Sequence, residues 1–75
     1  MKIKCGREEF DLNEKDVILD NRACFQIITR ETGRGWTKYP PIIAKGIAKK
    51  LIKDGSLILK EEKENGNKYY KINKK

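Results

Sequence analysis

The segment that most constrains the fold lies near the middle of the chain and has one apolar and one lysine-rich side. On a helical wheel of about 100° per residue, residues 42–54 place an apolar set on one half: Ile43, Ala44, Ile47, Ala48, Leu51 and Ile52. The other half carries Lys45, Gly46, Lys49, Lys50 and Lys53. Pro40-Pro41 suits the first turn of a helix, and Gly55 suits its C-terminal stop. The pattern predicts an amphipathic helix over residues 42–54.

A β-hairpin is predicted to follow this helix and to pack against it. Residues 56–61 form its first strand, Asn65-Gly66 is typical of a two-residue type I′ turn, and residues 68–72 form the return strand. With that turn, Leu59 pairs with Ile72. Because side chains alternate along a strand, the predicted core face consists of Leu57, Leu59, Tyr70 and Ile72.

The first half of the chain has shorter apolar runs. Residues 2–12 alternate weakly, which predicts two short strands and an N-terminal β-hairpin. Asn13 is a good helix N-cap, and the Asp16 carboxylate three residues later can reach back to the cap N–H. These two residues predict a short helix over residues 14–20.

Residues 23–31 fit two kinds of structure. The i,i+4 pairs Ala23–Ile27 and Cys24–Ile28 favour a helix, whereas the β-branched residues of this segment would also suit a strand. We expect a helix and keep the strand as the alternative, in which case a small α+β fold without a helix-turn-helix would be the better description.

The composition restricts the function. The chain has 75 residues, which allows one domain over residues 1–75, and it has two cysteines and no histidine. Histidine-dependent nucleophile pairs and four-ligand zinc sites are therefore excluded, and we expect no enzyme activity, no cofactor and no metal. No segment approaches the roughly 18 apolar residues of a membrane span. The N-terminus has no apolar signal core, so we expect a cytoplasmic protein without a membrane partner.

Positive charge is concentrated in the second half of the chain. Residues 1–33 carry six basic and seven acidic side chains, a net charge of −1. Residues 34–75 carry twelve basic and four acidic side chains, a net charge of +8. The predicted helix face has no acid among its lysines, so their mutual repulsion is uncompensated. A positive field of this kind attracts polyanions such as nucleic acids.

These features predict a protein that binds double-stranded DNA through the helix, in the major groove or along the backbone. The expected contacts are Arg34, Lys38, Lys45, Lys49, Lys50, Lys53, Lys68 and Lys71. The helix face lacks Arg, Asn and Gln, the side chains that read base edges, so it suits phosphates better than sequence. A homodimer is an expected arrangement, because such modules often bind paired half-sites.

Two other functions are compatible with the sequence. The first is a protein-interaction module, which would use the acidic hairpin tip and the outer-face residues Ile58 and Tyr69. The second is binding of RNA or single-stranded DNA through Trp36 and Tyr39, which lie among basic residues. We expect instead that the single Trp36 buries its ring to anchor the turn, and we rank this function last.

The second half of the chain resembles a known family. The amphipathic helix ending in Leu-Ile-Lys-Asp-Gly at 51–55, the strand after it and Tyr-Tyr-Lys-Ile at 69–72 resemble the recognition helix and wing of winged helix-turn-helix proteins. The resemblance covers residues 40–73. With helices at 14–20 and 23–31, it implies an α+β winged-helix-like fold of two short helices and one longer basic helix on the C-terminal hairpin.

The whole chain also resembles the small uncharacterised proteins of phages and mobile elements of Gram-positive bacteria. The residues that carry this likeness are 16–21, 24–29 and Gly35-Trp36. This resemblance implies a biological context and no particular mechanism.

Overall fold

The fold is described by a computed structural model, which covers residues 1–5, 8–33 and 35–73. Within these ranges the chain forms seven β-strands and one α-helix. In chain order they are β1 (Lys2–Cys5), β2 (Glu8–Asp11), β3 (Val17–Asp20), β4 (Phe25–Ile27), β5 (Ile42–Ile43), α1 (Lys45–Lys53), β6 (Leu57–Glu62) and β7 (Lys68–Ile72). The expected N-terminal hairpin is confirmed, since β1 and β2 pair in antiparallel register.

The other five strands form one antiparallel sheet in the order β5-β4-β3-β7-β6. In the middle of this sheet, Ile18 lies opposite Ile27 on one side and Tyr70 on the other. These three side chains are buried together with Ala48 of α1 and with Ile3 of the N-terminal hairpin. The helix and the small hairpin thus cover one face of the sheet, which we call the core face.

The helix predicted over residues 14–20 is wrong, because Val17–Asp20 is strand β3. The hydrogen bonds expected at a helix start do form: the Asn13 N–H donates to Asp16 Oδ2 at 3.0 Å, and the Lys15 N–H donates to Asn13 Oδ1 at 2.8 Å. The turn does not continue as a helix, since the next residues pair with strands on both sides, β4 and β7. Two rows of interstrand hydrogen bonds outweigh one favourable cap.

The helix expected over residues 23–31 is also wrong, and the strand alternative is the correct one. Phe25 and Ile27 are buried on the core face, with Gln26 between them facing the other way. A tight turn precedes the strand, in which the Asn21 side chain accepts from the N–H groups of Ala23 and Cys24. With both short helices replaced by strands, the expected three-helix winged-helix architecture is overturned, and the fold is mostly β.

The amphipathic helix is confirmed, with a later start than expected. Ile42 and Ile43 pair with β4 as strand β5, so α1 begins at Lys45 rather than after the prolines. The predicted stop at Gly55 is correct: its φ is +85°, its N–H donates to Ile52 O, and the Ser56 N–H donates to Leu51 O. This pair of bonds is the Schellman arrangement that glycine favours.

The C-terminal hairpin is confirmed, but its register is not the predicted one. Gly66 has φ +92° and donates to Lys63 O, while the Lys63 N–H donates to Asn67 O, so the loop has three residues rather than two. This loop places Glu61 opposite Tyr69, and a register shift between Leu59 and Glu61 then places Leu59 opposite Tyr70. Leu57 and Tyr70 are buried as predicted, whereas Leu59, on the edge strand β6, is half exposed.

The start of α1 is its weak point and gives a first testable prediction. Ala44 occupies the N-cap with φ −57° and ψ 136° and offers no side-chain acceptor to the free N–H groups of the first turn. Ala44→Asp supplies that acceptor and a favourable charge, so we expect stabilisation by about 1 kcal/mol. Thermal unfolding checks this as a rise in Tm of about 4–8 °C. Ala44→Val, which adds no acceptor, is the control and should give no comparable gain.

Candidate nucleic-acid interface

A row of lysines runs along the solvent side of α1. Lys45, Lys49 and Lys53 follow each other at i,i+4 spacing, so the row is about 12 Å long, and Lys50 lies beside it. All four side chains are exposed, whereas Ala48 on the opposite side of the helix is fully buried. We call Lys45, Lys49, Lys50 and Lys53 the lysine face.

The lysine face forms no ion pair among the described residues. The ion pairs of the described chain join the N-terminus to Asp11, Arg30 to Asp16, Lys63 to Glu61 and Lys68 to Glu62. None of them involves α1. Between positions 34 and 60 the sequence has seven basic residues and a single acid, Asp54. The positive field of this stretch is therefore not cancelled locally.

Asp54 itself is engaged in ending the helix. Its Oδ1 accepts from the Ser56 N–H at 2.9 Å. Hydrogen bonds from Ser56 lower the pKa of Asp54, with a smaller contribution from the charge of Lys50. The carboxylate thus stays ionised at the C-terminal end of the lysine face while the rest of that face carries no negative charge.

The structure does not bring all the predicted contact residues together. Lys71 is exposed next to the buried Tyr70 of β7, so its side chain leaves the sheet on the face opposite α1. Lys68 lies at the hairpin end and is 3.7 Å from Glu62. A rigid duplex lying on the lysine face therefore would not also contact Lys71. Lys38 is exposed in the loop before β5, and Arg34 lies outside the described residues.

The loop before β5 differs most from its prediction. Its two ends are joined by a bridge in which Thr32 and Tyr39 exchange backbone hydrogen bonds of 2.8 and 2.9 Å. Trp36, expected to be buried, is 100% exposed, and Tyr39 is also exposed. We call residues 32–39 the aromatic loop. It leads through Pro40-Pro41 and the short strand β5 directly into α1.

Sequence reasoning placed Ile58 and Tyr69 on an outer face of the hairpin, but it missed the strands β3, β4 and β5 that extend this face. The face opposite the core face, which we call the outer face, carries no described helix. Leu19 lies there opposite both Gln26 and Tyr69, and Gln26 lies opposite Ile42. Ile42 and Ile58 are exposed. Period-two alternation would have indicated this face only if residues 17–20 and 25–27 had been recognised as strands.

Within the described residues, no cluster of His, Cys, Asp or Glu could hold a metal ion, and no helix is long and apolar enough to cross a membrane. No family model, curated protein or solved structure matches the chain.

Proposed function

We propose that this is a non-enzymatic DNA-binding protein that holds the phosphate backbone of double-stranded DNA with the lysine face. The observation that carries the proposal is the set of four exposed lysines on one side of α1, none of which forms an ion pair in the described chain. Phosphates would relieve the repulsion among these lysines, and binding would release counterions from the DNA.

The lysine face suits the backbone rather than the bases. Lysine is a flexible point charge, whereas recognition of base edges relies on planar, bidentate side chains that this face lacks. The two helices that would have supported α1 as a recognition helix are strands. The binding we propose is therefore independent of sequence and strongly dependent on salt.

The test compares two variants of equal charge in fluorescence anisotropy titrations with a labelled blunt duplex. Lys45→Glu/Lys49→Glu reverses two charges on the lysine face. Lys2→Glu/Lys4→Glu makes the same change in net charge on the exposed side chains of β1, in the other sheet. We expect the helix variant to lose about tenfold or more in affinity, and its plot of log K against log salt to be shallower by about two units.

The β1 variant should retain most of the affinity of the wild type. Equal losses of affinity in the two variants would show that binding depends on the net charge of the protein and not on the lysine face. Absence of binding by the wild-type protein at low salt would contradict the proposal as a whole, because phosphate contacts give non-specific affinity for any duplex.

The second candidate is a protein-interaction module, and the outer face is the observation that favours it. Exposed Ile42 and Ile58 are unusual for a sheet face that has to remain in water. If this candidate is correct, the wild-type protein does not bind DNA, and the lysine face only keeps the protein in solution.

A further inference from the structure

The exposure of Trp36 has no structural explanation within the described chain. It is the only tryptophan of the protein, and its ring makes no contact that shields it from water. Small domains have thin cores and gain most from burying large aromatic rings. A ring left wholly in solvent in such a domain is available for a ligand.

Described residues close the base of the aromatic loop. Besides the Thr32–Tyr39 bridge, it depends on Gly33, which has φ +139°. A Cβ atom at Gly33 would overlap the carbonyl oxygen of Thr37, so the backbone crosses closely there and only glycine fits. The two ends of the loop are therefore joined, and the ring of Trp36 projects from them into solvent.

The aromatic loop precedes the lysine face in the chain. Trp36 lies nine positions before Lys45, a span of about 30 Å at most even when the chain is fully extended. Lys38, in the loop, is also exposed. One strand of nucleic acid is long enough to contact both the aromatic loop and the lysine face.

We propose that Trp36 stacks on an unpaired base of DNA whose phosphates lie on the lysine face, so that the preferred ligand is single-stranded DNA. This inference rests on the proposed function, because the lysine face supplies most of the affinity. Stacking on an aromatic ring is tolerant of sequence, since every base has a π-face. It therefore matches a basic face that does not read base edges.

Other partners fit the loop less well. A membrane anchor would need several apolar side chains around the ring, but apart from Tyr39 the described residues after Gly33 in this loop are Gly35, Thr37 and Lys38. In a binding hot spot for a protein partner, other contact residues would surround the ring. The exposed apolar residues of the outer face belong to the sheet and not to the tip of this loop.

The experiment measures affinity for three ligands of equal length: an oligo-dT strand, an abasic strand with the same phosphates, and a blunt duplex. Trp36→Ala should weaken binding of oligo-dT by about 5- to 150-fold, the usual range for one stacked base. It should leave the abasic strand and the duplex nearly unchanged. Trp36→Phe, which keeps an aromatic ring, should restore part of the lost affinity. Since the ring is fully exposed, Trp36→Ala should unfold at the wild-type temperature.

The fluorescence of Trp36 is a second readout, because no other tryptophan contributes. Stacking predicts quenching by oligo-dT and none by the abasic strand. The inference is overturned if Trp36→Ala weakens all three ligands equally, or if it weakens none. It is also overturned if Trp36 emission responds to phosphatidylserine vesicles but not to oligo-dT.

Lys45→Glu/Lys49→Glu separates the two proposals. If that variant binds all three ligands like the wild type, the lysine face is not the DNA site, whatever the result for Trp36→Ala.

Discussion

Replacing Ile27 by alanine is expected to lower the free energy of unfolding by about 2–5 kcal/mol. The Ile27 side chain is 0% exposed and lies opposite Ile18 within the central strands of the large sheet. Alanine would leave a cavity that paired strands cannot close by shifting. A chain of 75 residues has a total stability of only about 4–11 kcal/mol, so Ile27→Ala should bring the protein close to unfolding. Urea denaturation followed by circular dichroism measures the loss.

The neighbouring residue provides a matched control. Ile28 is 40% exposed, and its N–H donates to Val17 O at the end of the paired region. Ile28→Ala removes the same atoms from a position that remains in contact with water, and it should cost less than about 1 kcal/mol. A large difference between the losses of stability at these two adjacent isoleucines would reflect the alternation of buried and exposed side chains. Similar losses at both positions would contradict the position of β4 in the sheet.

The second half of the fold could be predicted because its signals are local. The lysine and apolar positions of α1 repeat over more than two turns, and Gly55 with its positive φ ends the helix at the expected place. Asn65-Gly66 indicated the hairpin correctly. The loop length was wrong because the same dipeptide serves both a two-residue turn and a three-residue loop with glycine in the left-handed region.

The first half could not be predicted because its structure depends on distant pairing. Val17–Asp20 has only four residues, too few for helical and extended periodicity to be distinguished. Its identity as a strand is fixed by β7, about fifty positions later in the chain. The start of α1 was placed too early for the same reason, since Ile42 and Ile43 are held by β4.

The candidate site was predicted in part. Exposure of the lysine face follows from helical geometry alone, so Lys45, Lys49, Lys50 and Lys53 lie where they were expected. Alternation along the return strand also puts Lys71 on the face opposite the core, as observed, whereas the exposure of Trp36 depends on how the aromatic loop closes. That closure is not encoded in the residues next to Trp36.

The Asp16 carboxylate is the second site where a single substitution should have a large effect. Its side chain is 5% exposed and accepts from Thr29 Oγ1 at 2.7 Å, and from Arg30 Nε and Nη2 at 2.9 and 3.0 Å. It also accepts from the Asn13 N–H. The network joins the turn before β3 to the segment after β4. Asp16→Asn removes the charge and replaces one acceptor by an NH₂ donor, so we expect a loss of about 2–4 kcal/mol.

The ion pair at the N-terminus is the matched control for this substitution. Asp11 lies 3.1 Å from the terminal amine, but its side chain is 72% exposed. Exposed pairs contribute little, so Asp11→Asn should cost less than about 1 kcal/mol. If the two substitutions have equal effects in urea denaturation, burial of the Asp16 network does not determine its contribution.

The pH dependence of stability provides an independent test of the same network. The hydrogen bond from Arg30 is the main cause that lowers the pKa of Asp16 from 3.8 to about 2, against the opposing effect of burial. Because the folded protein holds this proton more weakly than the unfolded chain does, the stabilisation is fully present above about pH 4 and is lost as the pH falls to about 2. The shift corresponds to about 2.4 kcal/mol.

We therefore expect the difference in stability between wild type and Asp16→Asn to be constant from pH 7 to about pH 5 and to shrink by roughly that amount on approaching pH 2. A difference that stays constant down to pH 2 would show that the carboxylate is not held ionised by Arg30.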